Sequence, residues 1–314
     1  MFYFYSYNNT LNFYVILLLM NITKNDAYLR LHSAVLLAGA TGLFGRFITL
    51  SEIPLVWYRM LIAGIVMSSI MYFNGRLHRL PRAHFKQMVW CGFLLVVHWV
   101  FFYASIKASN VSIGVISIAL DGFSTALLDP IISHRRYSLR ELMLSLISFL
   151  GILFIFGFDS RYRLGIAFGV LCSFFYALFS IYSKRTQENT GHKSSTMLVY
   201  ELGIGWGMLT LVMPIYAWLF PSATLVPTTT DIIALLVFGS VFTIGPFLLQ
   251  LQALRSISAF TVNLTYNLEP IYSIIFAMII FNEAKEVNVY FWIGLVMIIS
   301  SVVLQTVFAR KNKG

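Results

Sequence analysis

The chain has 314 residues, of which 59% are hydrophobic and only 11% charged, and its mean hydropathy is +0.80. A soluble domain carries about a quarter charged residues, so a soluble fold is excluded and most of the chain belongs in lipid. The net charge of +10 is then a matter of which loops hold the basic residues, not of nucleic-acid binding. The two cysteines, Cys91 and Cys172, lie in apolar segments and imply neither a disulfide framework nor a metal site.

In chain order, residues 1–28 read as an N-terminal extension. Its apolar run, LNFYVILLLMNI, has about twelve residues, too few to span a bilayer, and no basic residue precedes it as in a signal peptide. Residues 1–19 are expected to be an upstream addition or a loose interfacial segment, with Met20 opening a short polar start. Ten apolar runs of spanning length follow, at roughly 31–50, 54–73, 85–105, 111–133, 139–157, 163–183, 196–219, 231–251, 259–281 and 288–309. Backbone groups in lipid must bond internally, so each run is predicted as a helix. The alternation of a membrane barrel is missing. The expected fold is an all-α integral membrane protein with short loops and no soluble domain.

Basic residues divide unevenly between the two sides of this topology. One side holds sixteen, from Lys24 and Arg30 through Arg76, Arg135, Lys184 and Arg255 to Lys313; the other holds Lys107, Arg161, Arg163 and Lys285. Arg46 and Arg59 fall inside spans. Basic residues collect in the cytoplasm, which places both termini there.

Two stretches break the apolar rule: IALDGFSTALL around Asp121 and YNLEPIYSIIF around Glu269. Each carries an acid about halfway along its span, followed by Gly122 or Pro270. A shift of 148 residues superposes Lys107 on Arg255, Leu120 on Leu268 and Asp121 on Glu269; a shift of 142 brings Tyr58-Arg59 onto Tyr200-Glu201. The chain therefore divides into two five-helix repeats, about 29–158 and 159–314. Five is odd, so the second repeat is inverted relative to the first. Inverted repeats place the functional site near the bilayer midplane, on interrupted helices where the halves meet.

These residues, with AGATGLFGRFITL in the first span, PLVWYRMLIAG in the second and LEPIYSIIFAMIIFNEAKEVNVYFWIGLVMIISSVVL in the last two, resemble the EamA-type members of the drug/metabolite transporter superfamily. The resemblance covers nearly the whole chain after about residue 28. It implies ten helices in two inverted repeats and transport of small organic solutes such as amino acids or related metabolites, often exported. The first half departs from the pattern: HRRYS stands where a Glu after the fourth helix is expected, and Gly122 replaces the usual Pro. Glu283 is therefore read as a helix-end residue rather than a functional acid.

A charge at the bilayer centre costs about 2.5–3.5 kcal/mol on insertion scales, so Asp121 and Glu269 need a reason. The functional reading is a substrate or proton-coupling site facing a watery cavity; the structural reading is a pair with each other or with a nearby base. Ser117 and Thr125 share the helix face of Asp121, and Asn263, Asn267, Tyr266 and Ser273 accompany Glu269. Gly165, Gly169, Ser173, Tyr176, Ser180 and Ser183 form a small and polar stripe in the sixth span, which serves either a cavity or close helix packing. Thr243, Gly245, Pro246 and Gln250 suggest a kinked, polar-walled eighth span. His98, mid-span, is read as packing or as a proton relay. Arg59 and Glu201 lie about five residues inside opposite ends of their spans; with Arg46 and Glu52 they are expected to form gates or ion pairs that snorkel to the interface, Glu52 pairing with Arg59 and Lys193 with Glu201. Recognition of an anionic substrate group is the alternative for Arg59.

Phosphate-binding loops, zinc-protease helices and nucleophile elbows are missing, and no cofactor or metal is implied. The reading is a secondary transporter in a bacterial inner membrane, working by alternating access with proton coupling, as a monomer or weak dimer. Its partners are a small-molecule substrate and the lipid bilayer. The alternatives are an intramembrane acid–base enzyme and a non-transporting sensor or scaffold.

Overall fold

The computed structural model describes residues 24–77, 79–109, 114, 120–156, 163–273, 276 and 289–311. Residues 1–19, Asn110, Ser117, Arg161, Glu283 and Lys285 lie outside these, and so does the Arg46 side chain. All regular structure among the described residues is helical, and six helices there are long and apolar enough to cross a membrane.

The first half contains α1 (Lys24–Gly39), α2 (Thr41–Phe47), α3 (Glu52–Phe73), α4 (Arg82–Ala108), α5 (Leu120–Ile132) and α6 (Leu139–Phe156). The second contains α7 (Arg163–Thr190), α8 (Ser194–Leu219), α9 (Thr229–Val237), α10 (Ile244–Leu254), α11 (Ala259–Tyr266) and α12 (Val289–Lys311). Arg30, expected in a loop, instead sits within α1. It is buried because Gln252 of α10 offers its side-chain oxygen to the guanidinium.

Among the described residues three spans are interrupted, two of them at a proline. Between α9 and α10 the chain passes through a π-helical turn, Phe238–Thr243. Pro246 has no N–H for the carbonyl of Phe242, and its ring crowds that carbonyl, so the ladder widens just before it. After α11 the chain turns at Asn267 and Leu268 and resumes helical geometry at 269–273. Here Pro270 removes the donor that would have reached Tyr266, and the turn tightens through Asn267 N–H to Leu264 O (3.1 Å) and Leu268 N–H to Thr265 O (3.0 Å). The third break separates α1 from α2 at Ala40.

Two of these breaks pack together. Ser273 Oγ donates to Gly39 O at 2.6 Å, and a Cβ on Gly39 would lie 2.6 Å from Cβ of Tyr272. Only glycine permits that approach.

Across the halves, α4 packs along α7, α1 along α10, α3 against α8, α5 against α11, and α6 along α12. The α6–α12 contact is close enough that a Cβ on Gly151 would lie 2.8 Å from Gly294 O, and Ser148 bonds Ser301 at 2.7 Å. The buried core is continuous across both halves, from Leu31 and Met60 to Phe179, Leu202 and Val262.

Candidate functional site

Some of the polar residues enclosed by this core line a cavity of about 40 Å³. Its charged lining is Arg59 from α3, Asp121 from α5 and Glu269 from the helix break after α11. Thr41, His98, Tyr103, Tyr176 and Tyr266 supply further polar groups, and Trp99, Phe102 and Phe247 most of the apolar wall. The π-helical turn and the break at 267–268 are what allow this convergence. One turns Thr243 toward Arg59, and the other puts Glu269 at the start of a new helical segment.

Arg59 is 2% exposed. Its Nε donates to Thr243 Oγ1 at 2.8 Å and its Nη1 to Tyr103 Oη at 3.0 Å, while Thr243 donates onward to Phe238 O at 2.8 Å. The guanidinium carbon stands 3.7 Å from the Trp99 ring centroid and 4.4 Å from that of Phe238. Each such cation–π contact, desolvated, is worth up to about 2 kcal/mol. This corrects the expected snorkelling gate: the side chain turns inward because aromatic faces and two hydroxyls hold it there. Glu52 does not pair with it; Glu52 Oε1 accepts from Tyr216 Oη at 2.9 Å. Arg59 and Glu269 feel each other's charge across the cavity, yet no ion pair joins them among the described residues.

Asp121 is 1% exposed, with Ser173 beside it and Oδ1 lacking any hydrogen-bond partner among the described residues. Thr125 does not share the cavity: its hydroxyl donates to Asp121 O (2.7 Å) and accepts from Asn263 Nδ2 (2.7 Å). Asn263 also accepts from Ser180 Oγ at 2.8 Å. It therefore ties α5, α7 and α11 together rather than lining the site. Asn267 is fully buried at the break, outside the lining, and neither of its amide atoms has a partner among the described residues. Glu201, expected near an interface with Lys193, is instead fully buried, and among the described residues its side chain has one hydrogen-bond contact, from Ser183 Oγ at 3.5 Å.

His98 lines the cavity against Tyr176, ring centroids 4.5 Å apart, and its Nδ1 lies 3.2 Å from Cys172 O. Cys172 Sγ lies 3.2 Å from the same nitrogen, so Nδ1 either donates to the carbonyl or accepts from the thiol. Tyr176 and Tyr266 meet edge to face at 5.7 Å. Trp99, Phe102, Tyr103 and Phe247 were not distinguishable in sequence, because an aromatic in an apolar run faces lipid and cavity with equal ease. The one signal was the Thr243–Pro246 kink.

At one end of the bundle the halves are tied by Asp231. Its carboxylate accepts from Thr49 N–H (2.8 Å), Thr49 Oγ1 (2.6 Å) and Thr228 Oγ1 (2.8 Å) while capping α9. Ser51 and Thr224 exchange hydrogen bonds beside it. At the other end Leu80 N–H donates to Tyr200 Oη at 2.9 Å, the rings of His84 and His192 share a 2.8 Å hydrogen bond, and Arg185 reaches Ile132 O. A cavity this small holds a few waters at most, water occupying about 30 Å³ per molecule. At this volume it must expand before it takes an organic solute.

The model of the EamA-like transporter family matches residues 27–157 and again 163–307. The chain is 24% identical over 298 residues to the uncharacterized transporter YxxF of Bacillus subtilis (strain 168), with 92% of each protein covered. A crystal structure matches with a TM-score of 0.73 at 15% identity over 92% of this chain and 99% of that one, which is a likeness of fold. With its multi-pass, lipid-adapted helices packed around a cavity lined by Arg59, Asp121 and Glu269, the chain belongs to the EamA-like transporter family.

Proposed function

We propose that this protein is a secondary transporter of small zwitterionic metabolites, amino acids or close relatives, working by alternating access in a bacterial inner membrane. The observation that carries the reading is the convergence of one guanidinium, Arg59, and two carboxyls, Asp121 and Glu269, on a single buried cavity with an aromatic wall. A zwitterion presents both complementary groups: its carboxylate suits Arg59 and its ammonium suits the acids. Export, the direction suggested by the family resemblance, uses the proton gradient through the same acids. A carboxyl exposed to water on alternate sides can pick up a proton on one and release it on the other.

Ten helices in two inverted repeats underlie the motion. Two matches of the family model, one per half, support this division. So does the packing: exchanging the halves turns the α4–α7 contact into the α1–α10 contact and maps α3–α8, α5–α11 and α6–α12 onto themselves. In this arrangement both termini and the His84–His192 end face the cytoplasm, and the Asp231 end faces out. Cysteines placed at 135–140 or 184–193 then resist impermeant reagents in intact cells; ready labelling there reverses the orientation.

The test is a solute screen on purified protein followed by flux measurement in vesicles. A solute that binds the folded state raises its melting temperature. Zwitterionic amino acids are expected to do so and their methyl esters to fail, with accumulation depending on a pH gradient. Binding with no flux under any gradient points instead to a sensor, and chemical conversion of the solute to an enzyme.

A further inference from the structure

We propose that Glu201 is a second proton-binding carboxyl, separate from Asp121 and Glu269, loaded and unloaded through the polar face of α7. Its placement in a coupling route rests on the transporter reading; its proton occupancy does not.

Glu201 stands outside the central cavity, seven residues into α8, roughly 10 Å from the end where α7 and α8 meet. The interface around it is tight: a Cβ on Gly92 of α4 would lie 3.2 Å from Glu201 O. The residue is fully buried, yet it is not held as a structural carboxylate should be. Oε1 has only a long contact, 3.5 Å, from Ser183 Oγ, and Oε2 has no partner among the described residues. No base forms an ion pair with it there. An ionised carboxylate left this way costs several kcal/mol, whereas an added proton removes the charge. A metal ion fits poorly: hard cations take about six or more oxygens, and here Cys91 Sγ occupies Thr186 Oγ1 at 3.5 Å, leaving Ser183 and the carboxylate itself.

The neighbouring polar groups form a line. On α7, Tyr176, Ser180, Ser183 and Gln187 recur at three- and four-residue intervals, hence on one face. Tyr176 lines the central cavity; Ser183 reaches Glu201; Gln187, buried, accepts from Ser194 Oγ at 3.4 Å at the helix end. A proton arriving from water at the α7–α8 turn forms an O–H bond at Oε2. It leaves the same way, or passes toward the central acids when the helices part and water enters.

Infrared spectroscopy of the protein in lipid vesicles, titrated from about pH 5 to 10, detects protonated carboxyls directly. The double variant Asp121→Asn/Glu269→Gln is expected to retain one buried protonated-carboxyl band, which Glu201→Gln removes and Ser183→Ala moves to a different midpoint. Absence of that band at every pH in the double variant overturns the proposal. So does its disappearance on adding sodium at constant pH, which assigns the site to a metal cation. If Glu201→Gln does not fold, the milder Ser183→Ala decides, an unmoved midpoint counting against Glu201. The same band in wild-type protein that shows no flux with any solute or gradient sinks the transport reading and leaves this one standing.

Discussion

Arg59 and Trp99 stack face to cation, 3.7 Å from guanidinium carbon to ring centroid, at the wall of the cavity that also receives Glu269. A positive charge is thereby held without an ion-pair partner among the described residues, between aromatic faces and the hydroxyls of Thr243 and Tyr103. An arginine left unneutralised in this way is free to receive an anionic group.

Replacing it tests both halves of that statement. Arg59→Lys keeps the charge but loses the planar fork and the stacking. A lost charge-assisted hydrogen bond is worth about 1.5–3 kcal/mol, so solute affinity should fall at least about tenfold in both Arg59→Lys and Arg59→Gln. Thermal-shift titration with a solute from the screen reads this. Unchanged affinity in Arg59→Gln removes Arg59 from recognition.

For the central acids, Asp121→Asn and Glu269→Gln keep shape and lose titration. Each should insert normally but lose transport or its dependence on the pH gradient. Flux in vesicles with and without an imposed gradient decides: wild-type rates and pH dependence in both single variants leave these acids with a structural role only.

The Asp231 tie should set the balance between closed and open forms. Asp231→Asn keeps the shape but turns one acceptor oxygen into a donor facing Thr49 or Thr228. Weakening the closed end by about 1–2 kcal/mol raises the open population some 5–30-fold. Labelling of a single cysteine near Trp99, by a reagent supplied from the outer side, should accelerate accordingly. Thr49→Ala should act in the same direction. No acceleration in either variant means that this end does not gate.

At the other end, burial first and the neighbouring His84 ring second hold His192 below its ordinary value of 6.5. The unfolded chain therefore takes up a proton at a higher pH than the folded one does. Above 6.5 both are neutral and the residue contributes no pH dependence; as pH falls from 6.5 toward the folded value, stability is lost. Melting temperatures between about pH 5 and 7.5 should decline more steeply in the wild type than in His192→Asn. Parallel curves would show that His192 does not titrate in this window.

Part of the site was legible in the residues themselves. Asp121 and Glu269 announce themselves because carboxyls are rare in apolar runs and must be retained for a reason. Pro270 and Pro246 pointed to the breaks because each removes a backbone N–H, although Pro130 and Pro214 lie within α5 and α8 without ending them. For Arg59 the expected snorkelling gate failed while the alternative, recognition of an anionic group, stayed open: counting along a span measures depth, not the direction in which a long side chain turns. Glu201 was misread for the same reason.

Composition and the length of the apolar runs alone determined that the chain lies in lipid, that its regular structure is helical, and which few ionisable groups sit inside the spans. These are properties of single segments, governed by the transfer of side chains and backbone out of water. Only the tertiary structure decided which helices meet. It alone set Thr243 against Arg59, Asn263 against Thr125, Thr49 against Asp231, and Trp99 rather than another aromatic at the cavity wall. Lipid tails and helix faces are equally apolar, so hydrophobicity cannot select partners within a membrane. Close packing at small residues and a few hydrogen bonds between distant segments do so instead.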